Sequence, residues 1–254
     1  MFIDTHAHLM MQQFEGEVSD IVLRAKDAGV ERIINIGMDE LSSAQALELA
    51  HEFDGCFATF GFHPYEAKNA TDSVMNDWKK IIENSAKVIG IGECGLDFVK
   101  TEVDRSVQEK AFRMQLELAQ ATSLPVVVHS RGAERECLDI LKDYTVDAVF
   151  HCYGGDVTVA RDAWEAGFYT SFTGIITFPN AAELCEIVKE VPMDRFLIET
   201  DCPFLAPQAH RGKRNEPSFV VEVAKKIAEL KGIPLGEVEE FAFNNTEKFF
   251  PKLI

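Results

Sequence analysis

The sequence has few basic residues and no long apolar run, and both shortages exclude classes of protein. Its 25 Lys and Arg side chains stand against 42 Asp and Glu, which gives a formal net charge of −17. Such a chain does not grip long duplex nucleic acid through a general basic face, so any polyanionic substrate must be held locally. No apolar run approaches the roughly 20 residues that cross a bilayer, and the first residues lack the pattern of a signal peptide. We expect a cytoplasmic protein with no membrane contact and no obligate protein partner.

Cysteine is also scarce, and no pair has the CxxC spacing of a structural zinc site. Six cysteines in 254 residues are too few for a disulfide scaffold, so we expect reduced thiols. Cys94, Cys152 and Cys202 each follow a candidate metal ligand directly. Because side chains alternate along a strand, these three should turn away from the ligand and pack in the core.

Eight apolar, β-branched stretches alternate with helical patterns along the chain. The stretches lie at about 2–5, 32–37, 57–62, 88–92, 124–128, 147–151, 167–172 and 196–200, and helical patterns include 18–28, 42–53, 105–121, 133–142, 218–231 and 235–250. Strands alternating with helices imply right-handed crossovers and a parallel sheet, and eight such units predict an α/β fold, a (βα)₈ TIM barrel. The alternative, an open doubly wound sheet, needs a glycine-rich loop after the first strand, which this chain lacks. With no linker or internal repeat, we expect a single domain over residues 1–254.

Polar side chains stand where several of these apolar stretches end, which is the active-site face of a barrel. They are His6, His8, His63, Glu93, Asp97, His129, His151, Glu199 and Asp201, and they include five of the seven histidines. A single histidine at a strand end is more often a satisfied polar group than a ligand. At least four imidazoles and two carboxylates at one barrel mouth, however, would be costly to desolvate without cations between them. The sequence therefore predicts a metal centre.

Two divalent ions fit this set better than one, with Glu93 as the bridging carboxylate between ions about 3.5–4 Å apart. The first and eighth strands are neighbours in a closed barrel, so one ion is assigned to the ligands His6, His8 and Asp201. The fifth and sixth strands are also neighbours, which assigns the second ion to His129 and His151. Mixed imidazole and carboxylate ligands suit zinc, manganese or iron, whereas magnesium prefers oxygen, and the choice among Mg, Mn and Zn stays open.

A centre of this kind indicates hydrolysis by attack of a metal-bound hydroxide on an acyl or phosphoryl group. Asp201 is predicted to hold a metal and to accept the proton of the attacking water. His63 has no evident metal partner, so it is predicted to contact the substrate or leaving group, or else to bond only to backbone ahead of Pro64. The basic run from Arg211 to Arg214 is either a local positive patch or a solvated loop.

A series of motifs in the same order extends over nearly the whole chain. They are Asp4-Thr5-His6-Ala7-His8, Gly61-Phe62-His63-Pro64, 90–97, 124–131, His151-Cys152-Tyr153-Gly154-Gly155, Thr173-Gly174, Glu199-Thr200-Asp201-Cys202-Pro203, 211–217 and Asn244-Asn245-Thr246. In these motifs the sequence resembles the TatD family of metal-dependent deoxyribonucleases, among the amidohydrolase-like barrels. Tyr153-Gly154-Gly155 departs mildly from the aromatic-Ser-Gly that usually follows the sixth-strand histidine. The departure touches the loop beside the second metal and leaves His151 unaffected.

The resemblance implies hydrolysis of DNA phosphodiester bonds, often from an end, with two metal ions at the ligands named above. DNA would then be the partner, contacted locally at ends or single strands, with Arg131, Arg211, Lys213 and Arg214 on its phosphates. Glu93 stands where many amidohydrolases place a modified lysine, which favours the nuclease branch. Two alternatives stay open: a metal-dependent esterase or deacylase acting on a small or aminoacyl-nucleic-acid substrate, and a metal-dependent binding protein without activity.

Overall fold

The computed structural model describes residues 1–253, and its eight strands form one parallel sheet in the order β1 to β8. The strands are β1 (Phe2–Ala7), β2 (Val30–Ile36), β3 (Cys56–Phe60), β4 (Val88–Asp97), β5 (Val126–Arg131), β6 (Ala148–Phe150), β7 (Tyr169–Phe172) and β8 (Phe196–Ile198). The helices are α1 (Val18–Asp27), α2 (Glu40–Glu52), α3 (Asp72–Asn84), α4 (Arg105–Thr122), α5 (Glu134–Leu141), α6 (Val157–Glu165), α7 (Ala182–Glu190), α8 (Val220–Lys231) and α9 (Leu235–Phe249).

The sheet closes on itself, which confirms the predicted (βα)₈ barrel. Each strand pairs in parallel with the next one along the chain. A parallel bridge between Ala7 and Cys202 then joins the end of β1 to the segment that follows β8. Closure removes the free sheet edges and places the carboxyl ends of all strands at one mouth.

The barrel interior is apolar near the strand starts and polar near the strand ends. The part of the interior near the strand starts is filled by side chains of seven strands, of the last residue of α9 and of the segment that follows it, namely Ile3, Ile34, Ile36, Ile89, Val127, Val149, Tyr169, Leu197, Phe249, Phe250 and Leu253. Alternation turns Val126 and Val128 into the second apolar layer, between sheet and helices, while Val127 faces inward. Polar side chains therefore occupy the part of the interior near the strand ends.

The predicted helices form close to their expected positions, and local capping explains the shifts at their ends. The side chain of Asp39 accepts the backbone N–H of Ser42 in a capping box, so α2 begins at Glu40 rather than at Ser42. Helix α8 begins at Val220 because a short 3₁₀ turn occupies Pro217–Phe219.

The fold also bears on the expectations for three cysteines, for membrane crossing and for the number of domains. Cys94 and Cys202 pack in the outer apolar layer as expected, whereas Cys152 is half-buried with its Sγ 3.5 Å from Thr173 Oγ1. Within residues 1–253, no helix is both long enough and apolar enough to cross a membrane. The single domain over residues 1–254 stays a prediction, and its last residue, Ile254, lies outside the described residues.

Candidate metal centre

The six predicted ligands converge at the barrel mouth, and His63 lies with them. All of these side chains lie in the carboxyl-terminal half of a strand or within three residues after one, and all are buried except the partly exposed Asp201. Three overlapping groups of close ligand atoms occur among the described residues: His6, Glu93 and His151; His6, His8 and Asp201; and His63, Glu93 and His129. The distances and the ring protonation decide which of these atoms suit a metal.

The first group is formed by His6, His8 and Asp201. The Nε2 atoms of His6 and His8 lie 3.2 Å apart. Asp201 Oδ1 lies 3.7 Å from His6 Nε2 and 3.4 Å from His8 Nε2. Metal bonds of about 2.1 Å place two ligand atoms about 3.0–3.4 Å apart. These three side chains therefore surround a volume suited to one ion.

The second group is centred on Glu93. Its Oε1 lies 2.7 Å from His129 Nδ1 and 2.9 Å from His151 Nε2, and those two nitrogens are 3.5 Å apart. The other oxygen, Oε2, lies 3.4 Å from His6 Nε2. The two carboxylate oxygens thus face different groups of nitrogen atoms, which is the geometry that a bridging carboxylate requires.

Outer hydrogen bonds fix which nitrogen of His8 and His129 points inward. His8 Nδ1 lies 3.0 Å from the carbonyl oxygen of Ile36, which can only accept, so Nδ1 carries the proton and Nε2 is free to bind. His129 Nε2 donates to Asp97 Oδ2 at 3.0 Å, which leaves Nδ1 facing Glu93. Such outer partners orient metal-binding histidines in many proteins.

His6 and His151 are less completely fixed. Their rings stack at 4.1 Å between centroids, and each has a buried Nδ1 without a hydrogen-bond partner. His151 Nδ1 does face Glu199 Oε1 at 3.4 Å, although the alignment is too poor for a hydrogen bond. Buried imidazole nitrogens and carboxylates face one another here, and few hydrogen-bond donors are present to satisfy them. This set of side chains therefore fits divalent cations.

His63 differs from the ligands because its outer nitrogen accepts a hydrogen bond. The backbone N–H of Tyr65 donates to His63 Nδ1 at 3.2 Å, so neutral His63 carries its proton on Nε2. Burial lowers the pKa of His63 to about 4, which keeps the ring neutral. Although Nε2 lies 3.5 Å from Glu93 Oε1, it presents a donor there rather than a lone pair. Contact with the substrate therefore stays the prediction for His63.

The neighbouring imidazoles keep the buried carboxylates of the centre ionised. Burial opposes ionisation of Glu93, but the charge on His151 and the hydrogen bonds with His129 and His151 hold the pKa of its carboxyl well below the usual range. Burial also opposes ionisation of Asp201, and the hydrogen bond with His8 together with His6 lowers its pKa. Both groups therefore carry the negative charge that a divalent cation needs.

Close approach of two strands brings Glu93 to His129. Gly92 and Gly95 both have positive φ, and a Cβ at either position would collide with a carbonyl oxygen of β5, that of Val127 or that of His129. Only glycine suits these positions. Asp201 itself has φ of 56°, a backbone region that is sparsely populated outside glycine and is concentrated at functional sites.

Of the predicted phosphate contacts, Arg131 contacts Asp97, the carboxylate that lies behind His129. Its Nη1 is 3.4 Å from Asp97 Oδ2, and its side chain is half exposed at the mouth. The guanidinium of Arg211 lies 4.4 Å from the centroid of the Phe178 ring. The side chain of Lys213 is exposed.

Arg214 belongs to the same basic run but is bound to the segment that precedes helix α1. Its Nη2 lies 2.7 Å from Glu17 Oε2, and its Nη1 donates to the carbonyl oxygen of Gln13. The ring of Phe14 lies under the guanidinium at 4.7 Å from its centroid. A phosphate that contacts Arg214 would have to displace these partners, which weighs against the phosphate contact predicted from the sequence.

Two functional carboxylates were noticed in the sequence but given no role. Asp97 lies behind His129, and Glu199 lies behind His151, where it also accepts hydrogen bonds from Ser171 Oγ and the backbone N–H of Cys152. Both stand in the same strand-end motifs as the ligands. In the sequence, the position of each acidic residue close to a candidate ligand could have indicated such a role. Which imidazole atom Asp97 or Glu199 faces, however, depends on the folded chain.

The fold and these side chains define a metal-dependent hydrolase of the TIM-barrel class. The chain belongs to the family described as TatD related DNase, whose sequence profile matches residues 3–251. It is 41% identical to an uncharacterized metal-dependent hydrolase, YabD of Bacillus subtilis, over 98% of this chain and 99% of that protein. It is 34% identical to the 3'-5' ssDNA/RNA exonuclease TatD of Erwinia tasmaniensis, over 97% and 98%. The crystal structure of YjjV, a TatD homolog from Escherichia coli K12, superposes with a TM-score of 0.92 at 29% identity, covering 98% of both chains.

Proposed function

We propose that this protein is an exonuclease that uses two divalent ions to hydrolyse phosphodiester bonds at the ends of single-stranded DNA. The observation that carries the proposal is the placement of Glu93, with one carboxylate oxygen towards His6 and the other towards His129 and His151. Two metal ions held by a shared carboxylate are a recurrent arrangement in enzymes that cleave phosphodiester bonds.

The name of the Erwinia relative supports the nucleic-acid substrate and suggests the 3' end as the point of attack. The charge of this chain supports contact with an end rather than with a long duplex. With a net charge of −17, the protein has no general basic face to follow a polyanion. Substrate binding therefore depends on a few groups at the barrel mouth.

The side chains at the mouth have distinct parts in the reaction. Divalent ions held by His6, His8, Glu93, His129, His151 and Asp201 would lower the pKa of water and polarise the phosphoryl oxygens. Asp201 turns Oδ1 towards His6 and His8, which leaves its second oxygen to take the proton of the attacking water.

On the substrate side, His63 donates its Nε2–H to the phosphate or to the departing oxygen. Arg131, held beside Asp97, pairs with a non-bridging phosphate oxygen. Neither group has to move a long way, since both already lie at the mouth.

One assay separates the proposed activity from its alternatives. Purified protein is incubated with end-labelled single- and double-stranded DNA in Mg²⁺, Mn²⁺ or Zn²⁺, or in chelator, beside a chromogenic carboxylic ester. Chelator-sensitive, stepwise release of nucleotides from single strands supports the proposal. Cleavage of the ester alone indicates the esterase or deacylase, and cleavage of neither indicates a binding protein. Loss of nuclease activity in His6→Ala ties the activity to this site.

Two expectations remain proposals. We take residues 1–254 as one domain, because the bridge between Ala7 and Cys202 joins the two ends of the barrel sequence into one sheet. A cytoplasmic location also stays a prediction.

A further inference from the structure

Three exposed apolar residues closely follow residues of the candidate metal centre along the sequence. Seven large apolar residues are exposed within residues 1–253, namely Met1, Leu23, Leu41, Tyr65, Ile81, Val99 and Phe204. Tyr65 follows His63 by two positions, Val99 follows Asp97 by two, and Phe204 follows Asp201 by three. Single exposed apolar residues are ordinary, but several around one polar site mark a surface that contacts a ligand.

Tyr65 is the one whose position the surrounding contacts define best. Its residue is 43% exposed, and its ring meets the His63 ring edge to face, with 4.3 Å between centroids and 83° between planes. Its hydroxyl donates to Asp97 Oδ2 at 3.4 Å. Because His63 and Asp97 are both buried, these contacts hold an exposed aromatic ring at a fixed place beside the centre.

We propose that Tyr65 stacks on an unpaired base next to the phosphate that is cleaved; this inference rests on the nuclease function proposed above. Aromatic rings bind bases of single strands through their π-faces, without regard to sequence. A base within a duplex is already stacked and paired, so it cannot stack on the ring of Tyr65. An aromatic ring at this position therefore favours single strands and frayed ends.

The acidity of the protein favours such a contact. With 42 acidic and 25 basic side chains, the chain repels a polyanion at long range. Of the basic side chains predicted to contact phosphates, Arg214 is already paired with Glu17, and Arg131 must share its guanidinium between Asp97 and a phosphate. Stacking supplies binding that does not depend on charge. Tyr65 is in a position to provide it, because its ring contacts the ring of His63, which is proposed to donate a hydrogen bond to the substrate.

The test compares single-stranded oligonucleotides that differ by one base. One has all its bases, a second has an abasic terminal nucleotide, and a third has an abasic penultimate nucleotide. For the wild-type protein, kcat/KM on the complete strand should be at least about tenfold higher than on one of the two abasic strands, and the difference should lie mainly in KM. Tyr65→Ala should lose this preference, and Tyr65→Phe, which keeps the ring, should retain it. Ile81→Ala, an exposed apolar change in the last turn of α3, is the matched control and should behave as wild type.

Each result supports or overturns the inference. A wild-type protein without preference between complete and abasic strands overturns it, and so does a Tyr65→Ala variant that loses activity equally on all three strands. In both cases DNA is still cleaved, so the proposed nuclease function stands. If the wild-type protein releases no nucleotide from any strand, the proposed function fails and the stacking inference fails with it.

Discussion

Asp97 lies directly behind His129, with its Oδ2 3.0 Å from Nε2 of the imidazole. On the other side of the same ring, Nδ1 lies 2.7 Å from Glu93 Oε1. The second oxygen of Asp97 accepts the backbone N–H groups of Val99 at 2.9 Å and Lys100 at 2.7 Å. The loop after β4 therefore holds Asp97, and Asp97 fixes both the orientation and the tautomer of His129.

The first prediction concerns this positioning role. Asp97→Asn replaces an ionised acceptor by an amide that binds the imidazole more weakly, so the affinity for divalent metal should fall by about 10–100-fold. Titration of metal-free protein with Mn²⁺ or Zn²⁺ in a calorimeter measures this change without reference to turnover. Asp104→Asn alters only an exposed cap of α4 and serves as the control. Equal metal affinity in the two variants would refute the role of Asp97.

A second prediction separates metal binding from proton transfer at Asp201. In Asp201→Asn, the amide oxygen can still approach the metal beside His6 and His8, but it no longer accepts the proton of the attacking water. Turnover should fall by about 10²–10⁴-fold while most of the bound metal is retained. Metal analysis and single-turnover rates on the same preparation test both halves. A fully active variant would contradict the assignment.

The ligands were predictable from sequence because each lies next to an apolar strand. Hydrophobic runs locate the strands, barrel topology brings the strand ends together, and the polar residue at each end is then a ligand candidate. The structure brings His6, His8, Glu93, His129 and the other candidates together at the barrel mouth, and their role as metal ligands stays a prediction. It also gave the correct fold, since alternation of strand and helix leaves few topologies.

What the sequence could not supply were contacts between distant residues and the direction of side chains. Arg214 stands in a basic run with Arg211, yet it turns to Glu17, which is 197 positions away along the chain. The use of Asp97 and Glu199 depends on which ring atom faces them, and no local pattern encodes that. The same holds for His63, whose proton position follows from the backbone N–H of Tyr65.

A third prediction distinguishes Arg131 from Arg214. Arg131 lies at the mouth beside Asp97, so Arg131→Ala should raise KM for DNA and reduce the slope of log affinity against log salt by about one. Arg214 is occupied by Glu17 and Gln13, so Arg214→Ala should leave that slope nearly unchanged. Binding of a labelled single strand over a range of salt concentrations measures both. A reduced slope in Arg214→Ala would instead place the basic run on the substrate phosphates.

A fourth prediction concerns the ion pair that ties the segment after β8 to α1. Arg24 Nη2 lies 2.7 Å from Glu216 Oε2, and Arg24 Nε lies 3.0 Å from Oε1. Burial opposes ionisation of Glu216, but the hydrogen bonds from Arg24 lower its pKa below the ordinary value of 4.5 for a glutamate. A folded pKa below the unfolded one means that the stabilisation is present at neutral pH and is lost as pH falls through the folded pKa.

Glu216→Gln should therefore lower the free energy of unfolding by about 0.5–1 kcal/mol at pH 7, a modest amount because Arg24 is nearly half exposed. The difference from wild type should shrink steadily below pH 4.5, which urea unfolding at several pH values can follow. Lys80→Ala, in the exposed pair with Asp77, is the control and should change stability little. A difference that persists unchanged at low pH would mean that the Gln variant loses packing rather than charge.

The last prediction tests the bridge itself. In Glu93→Gln, a neutral amide replaces the carboxylate whose two oxygens face His6 and His129. An amide does not hold two cations together, so metal content should fall from two equivalents per chain to one or fewer, with little change in fold. Metal analysis after desalting gives the count, and circular dichroism verifies the fold. Glu136→Gln, an exposed carboxyl in the first turn of α5, should keep both equivalents. Two equivalents retained in Glu93→Gln would show that the groups around His8 and His151 each bind an ion independently, and the shared-carboxylate centre would then have to be abandoned.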